Sequence, residues 1–373
     1  MNKIFLDNNS TTQLDPIILD KMIPFFITIY GNPSSRTHSF GWEAEAHIEK
    51  SRHKIADAIN CEPNEIIFTS GATESNNLAI QGLANEKLDS IITMSSEHKA
   101  VLDICKFLEK KGTEIIYLSP NKNGLINLDK LKDKVKLNPQ LISVMHANNE
   151  IGVIQPIKEI GKICKQKKII FHVDAAQSLG KINIDVKKMN IDLLSLSSHK
   201  IYGPKGIGCL YINKNIKKIS PLFFGGTQEK KIRPGTLPVP LIVGFGEACK
   251  IAQEKLDEEN DRILKLRNLL IDKIINEIPD TIINGDLKRR IAGNVNFSFP
   301  SLKGKSILPK MINIAVSSGS ACTSSSPKPS HVLKSIGLKN ELINSSLRMC
   351  IGRFNTKNEI NLAAETIIKA VKR

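Results

Sequence analysis

The sequence contains no Cys-x-x-Cys pair, although it has seven cysteines. An odd count without such pairs argues against a disulfide framework and against a thiolate zinc site. No apolar run approaches the roughly 20 residues needed to span a bilayer, and there is no internal repeat or low-complexity tract. The N-terminus lacks both the basic, apolar and small-residue succession of a signal peptide and an Arg/Ser-rich transit segment. The expected location is therefore cytoplasmic. Long basic blocks are also missing. The 53 basic and 37 acidic residues give a net charge of +16, but the lysines are scattered beside Ile and Asn, as in Lys214-Asn215-Ile216-Lys217-Lys218-Ile219. Without an aromatic-interleaved stripe, this charge reads as a matter of solubility rather than a nucleic-acid surface, and it stays compatible with an acidic partner or an anionic substrate.

What remains is ordinary globular material: 373 residues, 41% hydrophobic and 24% charged. That length favours two units sharing a crevice. From Glu65 to Cys209, short apolar runs alternate with helical patterns: Ile66-Ile67-Phe68, Ser90 to Thr93, Glu114 to Tyr117, Leu141 to Val144, Ile169 to Val173 and Leu193-Leu194. Such runs predict a parallel sheet covered on both faces. Leu210-Tyr211-Ile212, after Gly206 and Gly208, predicts an added antiparallel strand, and Ile4-Phe5-Leu6-Asp7 a strand at the very start. Phe224 to Pro240, rich in Gly and Pro, reads as a long loop. Ile263, Leu266, Leu270, Ile274 and Ile278 mark a long amphipathic helix leading into a smaller α+β unit, in which Gly293 to Phe299 alternates at period two.

Two of the predicted strand ends carry chemistry. Lys200 follows Ile191 to Leu196 in the turn Ser-Ser-His-Lys-Ile-Tyr-Gly-Pro-Lys-Gly, and Asp174 follows Ile169 to Val173. Adjacent parallel strands would present this amine and carboxylate to one crevice, where open α/β sheets bind ligands. A Schiff-base lysine with an acid for a pyridinium nitrogen is what a pyridoxal phosphate enzyme requires, while a structural ion pair at a sheet edge is the plainer alternative. Phe68 to Asn77 runs strand, Gly turn and helix start, with Ala72 and Thr73 at the point where free N–H groups bind an anion; a simply capped helix fits as well. Ser197 and His199 flank Lys200 and can donate to the same phosphate. His98 follows another strand end, either as a structural histidine or as an imidazole stacked on the ring and acting as acid or base. Asn149 lies in Ala147-Asn148-Asn149-Glu150, after a further strand, as a polar contact to cofactor or substrate.

The chain resembles the cysteine desulfurases that supply sulfur for iron–sulfur clusters, within the class-V aminotransferase family. The resemblance runs over essentially its whole length. It rests on Leu6-Asp7-Asn8-Asn9, Gly31 to Ser35, His38 to Gly41, Gly71 to Asn77, His172 to Gln177, Ser198-His199-Lys200 and Arg233 to Thr236. Ser317-Ser318-Gly319-Ser320-Ala321-Cys322-Thr323 is its most specific part. The resemblance implies fold type I: a mainly parallel seven-stranded sheet with helices on both faces, plus a smaller α+β unit. It divides the chain into a large cofactor-binding unit, 14–256, and a small one, 1–13 with 257–373. It implies that Lys200 carries the cofactor, Asp174 pairs with the pyridine nitrogen, Gln177 bonds the ring oxygen and His98 stacks on the ring. Ala72, Thr73, Ser197 and His199 would hold the phosphate, and Thr236 would reach the phosphate of the other subunit of a homodimer. Arg348 would clamp the substrate carboxylate with Asn149 assisting.

By the same resemblance, L-cysteine displaces Lys200, Lys200 removes the α-proton, and Cys322 takes the substrate sulfur as a persulfide. His98 or Lys200 then supplies a proton and alanine leaves. Sulfur would pass to an acceptor such as an iron–sulfur scaffold or a tRNA-thiolation protein. Cys322 sits among Gly, Ser, Thr and Pro with little to bury, which predicts a mobile, wet loop suited to carrying sulfur. The other six cysteines lie in apolar patterns or, for Cys61, beside a turn. Ser10 and Thr227 depart from the family pattern at positions without a catalytic role. The short run ending Ala370-Val371-Lys372-Arg373 lacks the further segment that relatives use to dock a scaffold, and the basic stretch from Pro300 to Lys310 is expected to alter partner contacts. Selenocysteine lyase and a pyridoxal phosphate aminotransferase share the cofactor chemistry, but the aminotransferase would not need Cys322. An RNA-binding module is suggested only by the charge.

Overall fold

The structure is a computed structural model that describes residues 3–84, 88–318 and 329–372. Its centre is a seven-stranded sheet. The strands are β2 (Ile66–Thr69), β3 (Ser90–Met94), β4 (Glu114–Leu118), β5 (Leu141–Met145), β6 (Ile170–Asp174), β7 (Leu193–Ser197) and β8 (Gly208–Ile212), in the order β2-β8-β7-β6-β5-β3-β4. Only β8 runs against its neighbours, β2 and β7. The expected sheet and its antiparallel strand are both present.

Side chains alternate across this sheet as the pleat requires. Phe68, Ile92, Met94, Ile142, Val144, Leu194 and Leu196 enter one core. Ile67, Ile91, Leu141 and Leu193 enter another on the opposite face. Helices Ser39–Ile59, Ile157–Lys167 and Val239–Glu254 cover the first face, and Ala72–Ala84 and Lys99–Glu109 the second. In Lys99–Glu109 the buried residues Val101, Ile104, Cys105 and Leu108 fall three to four apart, the stripe of a helix with one face inward.

A separate core gathers Ile263, Leu266, Leu270 and Ile274 of helix Leu256–Glu277, Ile360, Ala363, Ala364 and Ile367 of helix Lys357–Lys372, and Val295, Phe297, Leu347 and Met349. Its three-stranded antiparallel sheet has the order β12 (Ser346–Cys350), β10 (Asn294–Ser298), β9 (Ile282–Ile283). The chain's beginning belongs here too. β1 (Ile4–Phe5) pairs in parallel with β11 (Ile314–Ala315), burying Ile4 and Leu6 in this core.

Three local expectations need correction. The first strand stops at Phe5, and Asp7 forms only a single bridge to Cys350 before the chain turns toward Lys200. β10 is buried at all five positions rather than at alternate ones, because its polar face is sealed. Asn296 donates to Glu150 O at 3.3 Å and accepts from Asn284 at 2.7 Å. The loop after Phe224 contains one turn of 3-10 helix, Glu229–Lys231, and helix begins at Val239. Among the described residues no helix is long and apolar enough to cross a membrane.

Candidate active site

β3, β5, β6 and β7 are parallel, and β2 shares their direction because two antiparallel pairings separate it from β7. Their C-terminal ends therefore open on one edge. A cavity of about 410 Å³ lies there, lined by Gly71, Ala72, Thr73, Asn76, His98, Asn149, Asp174, Gln177, Ser197, His199 and Lys200, among others. One pocket thus collects nine of the residues expected from sequence. Arg348 and Thr236 do not line it: Arg348 lies behind Asn149, and Thr236 is exposed on the loop before helix Val239–Glu254. Cys322 lies outside the described residues.

At one end of the cavity is the turn from β2 into helix Ala72–Ala84. Gly71 has φ +149°, and a Cβ added there would meet nothing within 4 Å. Ser75 N donates to Gly71 O at 3.0 Å, so helix geometry leaves the N–H groups of Ala72, Thr73 and Glu74 without intrahelical carbonyls. With the positive end of the helix dipole this makes an anion cradle. Behind it, Glu74 accepts from Arg233 Nε at 2.8 Å and from Ser70 N at 2.7 Å. Burial opposes the ionisation of Glu74, but these donors hold its carboxyl below the ordinary range.

Asp174 ends β6 and is buried, one oxygen accepting from Asn76 Nδ2 at 2.7 Å and the other from Ala176 N at 3.0 Å. Asn76 escaped the sequence reading. It stands within the Gly71–Asn77 motif, but nothing local marks it as the partner of a residue 98 positions away. Lys200 reaches the cavity from the turn after β7, its Nζ donating to Asn9 O at 2.7 Å and Ser10 O at 2.5 Å. Gln177 Nε2 shares the Asn9 carbonyl, at 2.7 Å.

His98 caps helix Lys99–Glu109, its Nδ1 accepting from Ala100 N at 3.1 Å. That assignment puts the ring proton on Nε2. Burial lowers the pKa of His98, with Asp174 opposing and Lys200 and His331 adding. Burial, helped by Lys200, Lys205 and Lys181, pushes His199 down to about 4; its Nδ1 lies 3.0 Å from Thr11 Oγ1. Burial drives Glu97, under β5, well above the usual carboxylate range, against the Met145 N–H that bonds it.

Arg348 of β12 is 2% exposed. Its Nη2 donates to Asp7 at 2.7 Å and its Nη1 to Asn149 O at 3.0 Å. Its Nε is buried with no partner among the described residues, as are Asn149 Oδ1 and Ser198 Oγ.

A seven-stranded α/β enzyme with an amine, a carboxylate and an anion cradle around one cavity is of the pyridoxal phosphate class. The residues fit that cofactor: the cradle suits its phosphate, Asp174 its ring nitrogen, and the unpartnered Asn149 Oδ1 of the lining awaits a polar group. The chain belongs to the class-V aminotransferase family, which it matches over residues 4–362. It is 53% identical to a cysteine desulfurase, IscS, of Ehrlichia chaffeensis over 99% of this chain and 91% of that protein. It is 48% identical to the human cysteine desulfurase over 100% and 82%. Among solved structures, a NifS-like protein superposes with a TM-score of 0.92 at 36% identity, covering 99% of both chains. A protein described as SspA in complex with cysteine gives 0.84 at 38% identity, over 95% of this chain and 100% of that one. The cofactor of the present chain is pyridoxal phosphate.

Proposed function

We infer that the protein is a cysteine desulfurase: it converts L-cysteine to L-alanine and transfers the sulfur to one of its own cysteines. The observation that carries this is the shared cavity of Lys200 and Asp174 at the ends of adjacent strands, in a chain about half identical over its full length to proteins named for that activity.

Pyridoxal phosphate, when bound, supplies an electron-accepting ring that acidifies the α-position of a joined amino acid. Ala72, Thr73, Ser197 and His199 hold its phosphate; the low pKa of His199 keeps that ring neutral, so it donates one N–H without adding charge. Asp174, fixed by Asn76 and Ala176 N, holds a proton on the ring nitrogen. Gln177 offers an N–H to the ring oxygen, and His98 covers the ring face with its proton on Nε2. Lys200 moves the proton at the substrate α-carbon. Arg348, whose Nε is still unpartnered, binds the substrate carboxylate, and Asn149 orients it.

Sulfur goes to Cys322. Its thiolate forms an S–S bond as the Cβ–S bond of the substrate breaks. The net exchange is L-cysteine plus a Cys322 thiol giving L-alanine plus a Cys322 persulfide. Only sulfur changes hands, and no outside oxidant is needed.

The same reading gives a homodimer, with Thr236 reaching the partner's phosphate. It is supported by exposed Phe26 (59%), Ile27 (68%), Tyr30 (67%), Phe40 (50%) and Trp42 (55%), more apolar surface than one stretch of a monomer normally leaves open. We divide the chain into units 14–256 and 1–13 with 257–373, since Ile4, Leu6 and helix Leu256–Glu277 share one core. The sulfur acceptor is a second protein, such as an iron–sulfur scaffold or a tRNA-thiolation protein. We assign the protein to the cytoplasm, a reducing compartment that suits six free, buried cysteines.

The test is a visible spectrum of the purified protein with pyridoxal phosphate, followed by cysteine with alanine and sulfide detection. Lys200→Ala is expected to abolish both products. Cys322→Ala keeps the visible band and loses sulfide release; turnover of cysteine by that variant at the wild-type rate would overturn the persulfide step.

A further inference from the structure

Lys181 lies four residues beyond Gln177, in the turn that follows β6. Its Nζ is 3.3 Å from Gln177 Oε1. An ammonium group has only hydrogens to offer, so it turns the amide with its oxygen toward Lys181. On the other side Gln177 Nε2 donates to Asn9 O at 2.7 Å, the carbonyl that also accepts Lys200 Nζ at 2.7 Å. Two neighbours of opposite polarity therefore fix the same amide orientation. One of the two Nε2 hydrogens is used on Asn9, and the second is left on the nitrogen of a side chain that lines the active-site cavity. Lys181 does not line that cavity. It lies behind it, on a separate space of about 30 Å³ shared with Lys200, Tyr202, Glu259, Cys350 and Arg353. That space has room for about one water.

We propose that Lys181 is a positioning residue: it holds Gln177 so that an N–H, not a carbonyl oxygen, faces the ring oxygen of the cofactor. The proposal rests on the pyridoxal phosphate reading given above. A donor at that oxygen favours its ionised form, and so lowers the proton affinity of the nitrogen through which Lys200 is joined to the cofactor. An amide turned the other way would repel the ionised oxygen.

The test is a pH titration of the visible absorbance of the cofactor-loaded protein. Lys181→Met is expected to move the midpoint upward by about one pH unit, the scale of one hydrogen bond to a charged group. Lys181→Arg, which keeps a donor, is expected to hold the wild-type midpoint. In a Gln177→Leu background the Lys181→Met change is expected to add nothing, because there is no amide left to orient. An unchanged midpoint in Lys181→Met overturns the proposal. So does a full shift in the Gln177→Leu background, which would make Lys181 a bare charge. If methionine at 181 does not give folded protein, Lys181→Ala removes the same donor and is read the same way. A wild-type protein with no visible band overturns the cofactor reading itself, an outcome distinct from both.

Discussion

Arg52 and Arg348 are both buried against carboxylates, and they differ in how much of each guanidinium is used. Arg52 spends its whole fork on Glu229, at 3.0 and 2.8 Å, gives Nε to Glu49 at 3.0 Å, and adds Ile66 O at 2.8 Å. It also lies over the Phe68 ring, 4.6 Å from its centroid. Arg348 makes one contact with Asp7 and one with Asn149 O, and its Nε has no partner among the described residues. A saturated fork has nothing left to bind and serves the fold. A buried fork with a spare donor can still take an acceptor, and Arg348 stands behind Asn149 of the cavity lining.

The sharpest way to break this contrast is Arg52→Met. It leaves Glu229 charged and unpaired under β2, and is expected to cost about 3–5 kcal/mol of stability in urea unfolding. Retained stability would make the Arg52 fork as dispensable as a surface pair. The same conservative exchange at both positions sharpens the contrast. Arg52→Lys is expected to lower stability by about 2 kcal/mol. Arg348→Lys is expected instead to raise the KM for cysteine roughly tenfold with little change in unfolding midpoint. Equal stability losses at the two sites would erase the distinction.

Acid probes the same interior. Burial holds His146, His172 and His199 at about 4 in the folded protein, against an ordinary value of 6.5. The unfolded chain therefore binds these protons first as pH falls. The stability these three rings contribute is expected to be intact above about 6.5 and to decline progressively toward pH 4. Glu97 and Glu150, raised by burial, work the other way over the same range, so the check is an NMR titration of these imidazoles, and protonation of any of the three near pH 6.5 would contradict that burial. The smallest expected effect is at Ser10, whose hydroxyl lies 2.5 Å from Asp7 Oδ2, the carboxylate that holds Arg348. Ser10→Ala removes one donor from that carboxylate and is expected to cost about 0.5–1.5 kcal/mol in urea unfolding.

The sheet was legible because Ile91-Ile92, Leu141-Ile142 and Leu193-Leu194 are apolar at consecutive positions, which only a strand covered on both faces tolerates. Lys200 and Asp174 were legible for a related reason: each follows directly on such a strand. The partners that hold the site were not. Asp7 meets Arg348 across 341 positions and Asn76 meets Asp174 across 98, distances at which no local pattern survives. β10 misled because Asn294-Val295-Asn296 alternates like a half-exposed strand, while Glu150 O seals its polar face. Lys181 was one scattered lysine among many until the structure set it against Gln177.

The pairing of β1 with β11 bears on how the enzyme is made. Residues 4 and 5 find their strand partner at 314 and 315, and the next few residues bring Asn9 and Ser10 to the catalytic lysine. On the ribosome, residues 4 and 5 emerge long before residues 314 and 315 and must wait for them before this pair can form. Every strand of the seven-stranded sheet lies within residues 66–212 and leaves the ribosome before residues 314 and 315, so the segment that brings Asn9 and Ser10 to Lys200 gains its strand partner last.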